Sequence, residues 1–161
     1  MDYLWTPWRY QYITTAGKPV ECIFCAAMRD REDDRRLLVV HRGSRNVVML
    51  NRFPYTTGHV MVAPYEHVAS LDELNADTAA EMMRLAQECV GHLKALYRPD
   101  GLNLGMNLGE SAGAGIASHL HLHVLPRWTG DTSFMTTVGE TRVLPETLER
   151  TWERLRERFA A

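Results

Sequence analysis

Cysteine, net charge and long apolar runs are all scarce in this 161-residue chain. Three cysteines are too few to build a disulfide framework in a chain of this size. The formal net charge is −2 and like charges do not cluster, so a nucleic acid is not the expected partner. No segment approaches the roughly 18 consecutive apolar residues of a membrane span, and residues 1–13 lack the apolar region of a secretory signal. We therefore expect no membrane partner and a cytoplasmic location.

Hydrophobic residues make up 45% of the chain, which at this length suits one globular domain over residues 1–161. An N-terminal arm rich in aromatic residues is expected over 1–20. Apolar residues recur at intervals of three and four between 76 and 97, which predicts one long helix that Pro99 ends. A second apolar stripe predicts a C-terminal helix within 140–161.

The C-terminal helix is expected to have Pro145 near its first turn, where proline is favoured. Short segments rich in β-branched residues predict strands at 37–41, 46–51, 59–64, 102–108 and 119–125. This order of elements predicts an α+β fold. We expect an antiparallel sheet of about five strands with one long central helix and a C-terminal helix.

Three of the seven histidines, His119, His121 and His123, alternate along one predicted strand. Alternate side chains of a strand share a face, so three imidazoles would form one polar face while Leu120, Leu122 and Val124 turn to the core. Two kinds of chemistry use such a face. The histidines could bind a catalytic zinc ion in a hydrolase, or one of them could be a nucleophile held by its neighbours. The spacing alone leaves both open.

The segment His-Leu-His-Leu-His-Val-Leu at 119–125 resembles the signature of the histidine triad (HIT) superfamily. Asn-Arg-Phe-Pro at 51–54, followed by Gly-His-Val-Met-Val-Ala-Pro at 58–64, is similar to the first strand pair of that superfamily. The likeness continues over 107–128 and 130–135. Leu-Trp-Thr-Pro-Trp-Arg at 4–9 looks like the diadenosine tetraphosphate phosphorylase (ATP adenylyltransferase) branch.

This resemblance implies nucleotidyl transfer in two steps. His121 attacks the α-phosphorus of an adenine nucleotide and forms a covalent nucleotidyl-histidine, while His119, His123 and His59 shape and support the site. Inorganic phosphate then takes the nucleotide, so that diadenosine tetraphosphate yields ADP and ATP. Hydrolysis of dinucleoside polyphosphates or nucleoside phosphoramidates is the alternative. Hydrolase branches often carry Gln and Ser or Thr where this chain has Gly115 and Ile116, which favours phosphate as the acceptor.

The resemblance also implies which residues hold the nucleotide. Asn51 stands where relatives bond the ribose hydroxyls, and Asn107 aligns with an Asn that contacts phosphate. Backbone N–H groups around Gly113 and Gly115 could bind phosphoryl oxygens, because glycine permits close approach. Ile23 and Phe24 resemble residues that line the base pocket. A homodimer is expected from the family, and no organic cofactor is implied.

Cys22 and Cys25 form a Cys-x-x-Cys pair, which indicates metal or redox chemistry. A tetrahedral structural site needs two more ligands. Relatives with this pair complete the site with a histidine of Pro-x-x-His and the first triad histidine, here His67 and His119. The resemblance therefore implies a structural zinc ion. Cys89 lies on the apolar stripe of the long helix and is expected in the protein core.

Overall fold

The computed structural model of the protein describes residues 22–139 and 143–160, so the predicted arm over 1–20 lies outside the described residues. Within these two ranges the chain forms an α+β fold, as predicted. The helices are α1 (Ile23–Arg29), α2 (Ala76–Tyr97), α3 (Phe134–Thr137) and α4 (Leu148–Ala160). The strands are β1 (Val39–Arg42), β2 (Asn46–Leu50), β3 (Val60–Pro64), β4 (Gly101–Met106) and β5 (Leu122–Arg127). Short 3-10 turns at Leu71–Glu73 and Glu110–Ala112 complete the set.

The strands form one antiparallel sheet in the order β1-β2-β3-β5-β4. Side-chain alternation gives the sheet two different faces. One face packs against α2 and α4 in the main core, to which the sheet contributes Val40, Val48, Leu50, Val60, Val62, Leu122 and Val124. The other face carries a smaller apolar cluster that α1 covers with Phe24 and Ala27. His119, His121 and His123 lie on this second face.

Helix α2 has the bounds that the sequence predicts, because the capping residues at its ends and its buried apolar stripe define the same segment. The side chain of Asn75 accepts a hydrogen bond from the backbone N–H of Asp77, 2.9 Å away, and caps the first turn. Arg98 ends the helix in a left-handed conformation directly before Pro99. The buried stripe contains Met82, Leu85, Ala86, Cys89 and Leu93, which confirms the core position of Cys89.

Because the cap is a single side chain, Asn75→Ala is expected to lower the free energy of unfolding by about 1 kcal/mol. Chemical denaturation measures this change. Asn75→Asp is the control, since a carboxylate also caps a helix and is expected to stay close to the wild-type value. An Asn75→Ala variant as stable as the wild type would contradict the capping role.

The strand predicted at 119–125 is displaced, since β5 begins only at Leu122. Pro64, opposite this point on β3, has no N–H to donate to a ladder, and its carbonyl oxygen instead accepts a hydrogen bond from the His119 ring at 2.9 Å. The N–H of Leu120 donates to the Val68 carbonyl at 2.7 Å. His119 and His121 are thus held in the segment that leads into the strand, and only His123 lies within the strand.

The C-terminal helix is shorter than predicted. Helix α4 begins at Leu148, whereas 143–147 is not helical and Pro145 precedes the first turn. The side-chain oxygen of Thr147 accepts from the N–H of Arg150, at 3.3 Å, so Thr147 starts the helix. Trp152 and Arg156 of α4 donate side-chain hydrogen bonds to the backbone of β1, at 2.8 and 3.0 Å. They satisfy carbonyl groups that an edge strand would otherwise expose.

No helix among the described residues is both long and apolar enough for a membrane span.

Candidate active site

The histidine face lies under α1 at the middle of the sheet. His119 and His121 are 1% and 6% exposed, and the Phe24 ring covers both with centroid distances of 5.0 and 4.9 Å. Beyond them, the rings of His121 and His123 meet edge to face at 4.8 Å. The structure therefore brings the three predicted histidines together in one row, with Leu120 and Leu122 buried on the opposite face.

The hydrogen bond of His121 fixes its tautomer. Nδ1 lies 2.8 Å from the carbonyl oxygen of His119, and because a carbonyl can only accept, Nδ1 carries the proton. Nε2 is then left with an unprotonated lone pair. Burial lowers the pKa of His121 below its usual value, although the backbone hydrogen bond acts in the opposite direction. A neutral imidazole with a fixed free nitrogen is the form that a nucleophile needs.

A relay of hydrogen bonds sets the tautomer of His123. The N–H of Tyr55 donates to His59 Nδ1 at 3.2 Å, so His59 carries its proton on Nε2. That nitrogen donates to His123 Nδ1 at 2.9 Å, which places the His123 proton on Nε2. Burial first, and the neighbouring His121 second, lower the pKa of His123 to about 4. His123 is thus a neutral N–H donor beside His121.

Gly58 lets the chain enter β3 at the right place for this relay. It has a φ of +80°, and a Cβ here would lie 2.9 Å from a methyl carbon of Leu93. Only glycine adopts this conformation without strain in so tight a contact. His59 follows directly and is 1% exposed.

Four predicted metal ligands form a compact cluster at the other end of the histidine row. His119 donates its Nε2 proton to the Pro64 carbonyl, so its Nδ1 lone pair turns to the cysteines. This Nδ1 lies 3.4 Å from Cys22 Sγ, 3.6 Å from Cys25 Sγ and 3.1 Å from His67 Nδ1. Cys25 Sγ is also 3.1 Å from His67 Nδ1.

These distances suit one tetrahedral ion. Bond lengths of about 2.0 Å to nitrogen and 2.3 Å to sulfur place neighbouring ligand atoms of a tetrahedral zinc site roughly 3.3–3.8 Å apart. All four donor atoms lie within 4.8 Å of one another. Burial and the adjoining Cys22 thiol raise the pKa of Cys25, and a cation bound beside it would favour its thiolate form. The four residues could therefore hold a metal ion and leave no ligand position open.

The predicted substrate residues lie in two loops beside the histidines. Asn51 follows β2; its Oδ1 accepts from the N–H of Phe53 at 2.9 Å, and its Nδ2 is 3.5 Å from His59 Nδ1. Asn107 Nδ2 lies 3.5 Å from the carbonyl oxygen of Gly113, within the loop between β4 and β5. Gly113 has a φ of +89° there, and Gly115 is exposed.

Two groups that organise the site have no clear signal in the sequence. Tyr55 supplies the backbone N–H of the relay, and its ring lies 4.8 Å from the His59 ring and 6.2 Å from the His123 ring. The Pro64 carbonyl orients His119. The available signal for Tyr55 was an aromatic residue four positions before His59 in a turn. Nothing in the sequence marks a particular carbonyl as a partner.

Comparison with known proteins places this geometry in a family. The HIT domain model matches residues 34–130. An AP-4-A phosphorylase of Mycobacterium tuberculosis (strain ATCC 25618 / H37Rv) is 39% identical over 157 residues, which cover 94% of this chain and 80% of the relative. An uncharacterized HIT-like protein of Saccharolobus solfataricus is 30% identical over 71% of this chain and 79% of its own length.

Solved structures agree with the sequence relatives. A Zn-bound histidine triad family protein from Mycobacterium smegmatis superposes with a TM-score of 0.68 at 29% identity, covering 87% of this chain and 94% of that one. A hypothetical histidine triad nucleotide-binding protein from Sulfolobus tokodaii strain7 gives the same TM-score and identity, with 86% and 92% covered. The chain belongs to the HIT domain family.

Proposed function

We propose that this HIT-family enzyme transfers an adenylyl group from a dinucleoside polyphosphate to inorganic phosphate through a covalent adenylyl-histidine on His121. One observation carries the proposal: His121 is neutral, its Nδ1–H is bonded to a carbonyl, and its Nε2 lone pair is free to attack. The name of the M. tuberculosis relative, an AP-4-A phosphorylase, supports the choice of substrate.

In the first step, His121 Nε2 donates its lone pair to the α-phosphorus and a phosphorus–nitrogen bond forms. The bond from that phosphorus to the bridging oxygen breaks, and its electron pair leaves with the departing nucleotide. His121 acquires a positive charge, which the carbonyl of His119 stabilises through Nδ1–H. The Nε2–H of His123 is a donor for a phosphoryl oxygen, where it stabilises negative charge.

In the second step, an oxygen of inorganic phosphate attacks the same phosphorus and the phosphorus–nitrogen bond breaks. The electron pair returns to Nε2, so His121 is again neutral. From diadenosine tetraphosphate, the first step releases ATP and the second releases ADP. Gly115 and Ile116 bring no polar side chain to position a water molecule, which supports phosphate as the acceptor.

The loops beside the histidines supply the remaining contacts of this proposal. Asn51 binds the ribose hydroxyls, and Ile23, which is 42% exposed, borders the base. Phe24 is 1% exposed and packs against the His119 and His121 rings instead. Asn107 and the backbone around Gly113 and Gly115 bind the phosphates. HIT-family hydrolysis, with water as the acceptor, remains the second candidate because the first step is the same.

The metal in this proposal is a structural zinc ion held by Cys22, Cys25, His67 and His119. When bound, it fixes the ring of His119, whose carbonyl in turn holds His121. A zinc hydrolase that uses the histidine row as its ligands is less consistent with the geometry. The Nδ1 lone pair of His123 accepts from His59, and His119 belongs to a four-ligand cluster. Only Nε2 of His121 keeps a free lone pair, and one ligand is too few for a catalytic zinc ion.

The acceptor is tested by the products formed from diadenosine tetraphosphate with and without inorganic phosphate. We expect ADP and ATP when phosphate is present, and little turnover without it. A run in oxygen-18 water is the control, because hydrolysis would put the label into AMP. Label entering AMP at the same rate with and without phosphate would make the enzyme a hydrolase.

A homodimer is part of the proposal, and the edge strand β4 is its proposed interface. Among the described residues β4 pairs only with β5, which leaves one side of its backbone unpaired. Leu104 is 46% exposed on this strand, and Met83 of α2 is 53% exposed. Pairing of two β4 strands would satisfy the edge. Gel filtration is expected to give twice the chain mass, and a monomer would contradict this part of the proposal.

A further inference from the structure

A cavity of about 680 Å³ lies at the end of the sheet, beyond the histidine row. The loop between β2 and β3, the last residues of β5 and the segment before α4 form its walls. Its size is that of a small-molecule site. Neither the nucleophile nor the metal cluster is among its lining residues.

The cavity meets the histidine face at one end of the sheet, while Tyr97 and Arg154 of its lining come from α2 and α4 on the other face. Along β5 the residues that follow His121 and His123 on the same face are Leu125 and Arg127, and both line the cavity. Tyr55 connects the two regions, because its ring contacts those of His59 and His123 and also forms part of the cavity wall. At about 3.3 Å per residue, Leu125 lies roughly 13 Å along the strand from His121.

The lining charges are neutralised within the protein. Arg127 makes two hydrogen bonds to Asp131, at 2.6 and 2.8 Å, and a third to Asn103 at 2.8 Å. Arg154 binds Glu146 at 2.8 Å and the Leu96 carbonyl at 3.0 Å. With each lining arginine bonded to a carboxylate, the cavity suits an uncharged group better than a phosphate.

Three aromatic residues line the cavity. Trp128 lines the cavity. Its backbone N–H donates to Asp131 Oδ2 at 3.1 Å, and its backbone carbonyl accepts from the Asp131 N–H at 3.0 Å. Tyr55 and Tyr97 add two further rings. Thr57, 8% exposed, also lines the cavity, and its hydroxyl oxygen has no hydrogen-bond partner within 22–139 and 143–160. A ligand group that bonds this oxygen would satisfy a buried polar atom.

We propose that this cavity binds the distal nucleobase of the dinucleotide substrate, which is the base of the departing nucleotide. A nucleobase is planar, which suits the aromatic rings of the lining. It is uncharged, which suits a lining whose arginines are paired with carboxylates. It also forms hydrogen bonds, which suits the Thr57 hydroxyl. The phosphates and ribose of the departing nucleotide span the distance from His121. The inference rests on the proposed function and adds to it a reason for preferring a dinucleotide over a nucleoside polyphosphate.

The test compares two ligands by calorimetry. One is diadenosine tetraphosphate with a methylene group in place of each α,β-bridging oxygen, which blocks transfer. The other is adenosine tetraphosphate with the same substitution, which lacks the second nucleoside. The proteins are the wild type, Trp128→Ala, Thr136→Phe, which narrows the cavity, and Leu71→Ala as a control on an exposed residue outside the lining. Circular dichroism and thermal melting confirm that each variant is folded.

We expect the wild type and Leu71→Ala to prefer the dinucleotide. Trp128→Ala should weaken dinucleotide binding by about five- to a hundredfold, the usual effect of losing one base stack, with little change for the mononucleotide. Thr136→Phe should have the same selective effect. An equal loss for both ligands, or an unchanged preference in both variants, overturns the inference. If neither ligand binds the wild type, the proposed function fails as well, whereas equal binding of both by the wild type contradicts this inference alone.

Discussion

His121→Asn is expected to abolish turnover of diadenosine tetraphosphate while the protein stays folded. The substitution removes the Nε2 lone pair to which we assign the phosphorus–nitrogen bond, and asparagine has no comparable nucleophile. Loss of a nucleophile lowers kcat by several orders of magnitude, on the order of 10⁴-fold or more. Steady-state kinetics with separated nucleotides measures this, with thermal melting to confirm the fold.

His92→Asn is the matched control for this experiment. His92 is a half-buried histidine of α2 whose ring contacts Phe159 at 4.6 Å, away from the histidine row. Its variant is expected to keep kcat near the wild-type value. Retention of more than about one hundredth of wild-type activity by His121→Asn would contradict the covalent route.

Cys22→Ser is expected to lower zinc content and thermal stability together. A hydroxyl is a far weaker zinc ligand than a thiolate, and binding free energy at a structural site is folding free energy. A loss of about 3 kcal/mol in a domain of this size would lower Tm by roughly 6–12 °C. Elemental analysis of protein purified without added metal gives the zinc ratio, and calorimetry gives Tm. The wild type should carry one zinc ion per chain.

Cys89→Ala is the control that separates metal loss from simple core damage. Cys89 is fully buried in the main core, and burial raises the pKa of its thiol to about 12. The variant should lose some stability through the cavity that it creates, yet keep its zinc. A wild-type ratio near zero, or undiminished zinc in Cys22→Ser, would remove the metal site from this account.

The sequence predicts most of the fold because its signals there are local. The bounds of α2 follow from an apolar stripe, an Asn75 cap and a proline after the last turn, all within one segment. The five strands were found for the same reason, with ends displaced by a few residues. Helix α4 starts at Leu148, later than predicted, because Thr147 provides the first-turn hydrogen bond. Pro145 lies before this cap and not in the first turn.

The candidate site is less predictable because its chemistry depends on distant partners. The carbonyl that orients His119 belongs to Pro64, 55 residues earlier. The proton on His123 is fixed by His59, 64 residues away, which itself depends on Tyr55. The alternating pattern names the histidines, but it cannot tell which ring nitrogen of each is free. The cavity beyond Tyr55 is equally invisible, since its walls come from segments far apart in the sequence: the β2–β3 loop, the end of α2, the end of β5 with the residues after it, the segment before α4, and α4 itself.

The most direct test of the central claim is a search for the adenylylated enzyme. The protein is mixed with diadenosine tetraphosphate without inorganic phosphate, quenched under alkaline conditions that preserve a phosphorus–nitrogen bond, and analysed by intact-protein mass spectrometry and peptide mapping. The account predicts a mass increase of one adenylyl group on His121, which disappears when phosphate is added before the quench. Turnover without any adduct, or an adduct that persists in His121→Asn, would contradict it.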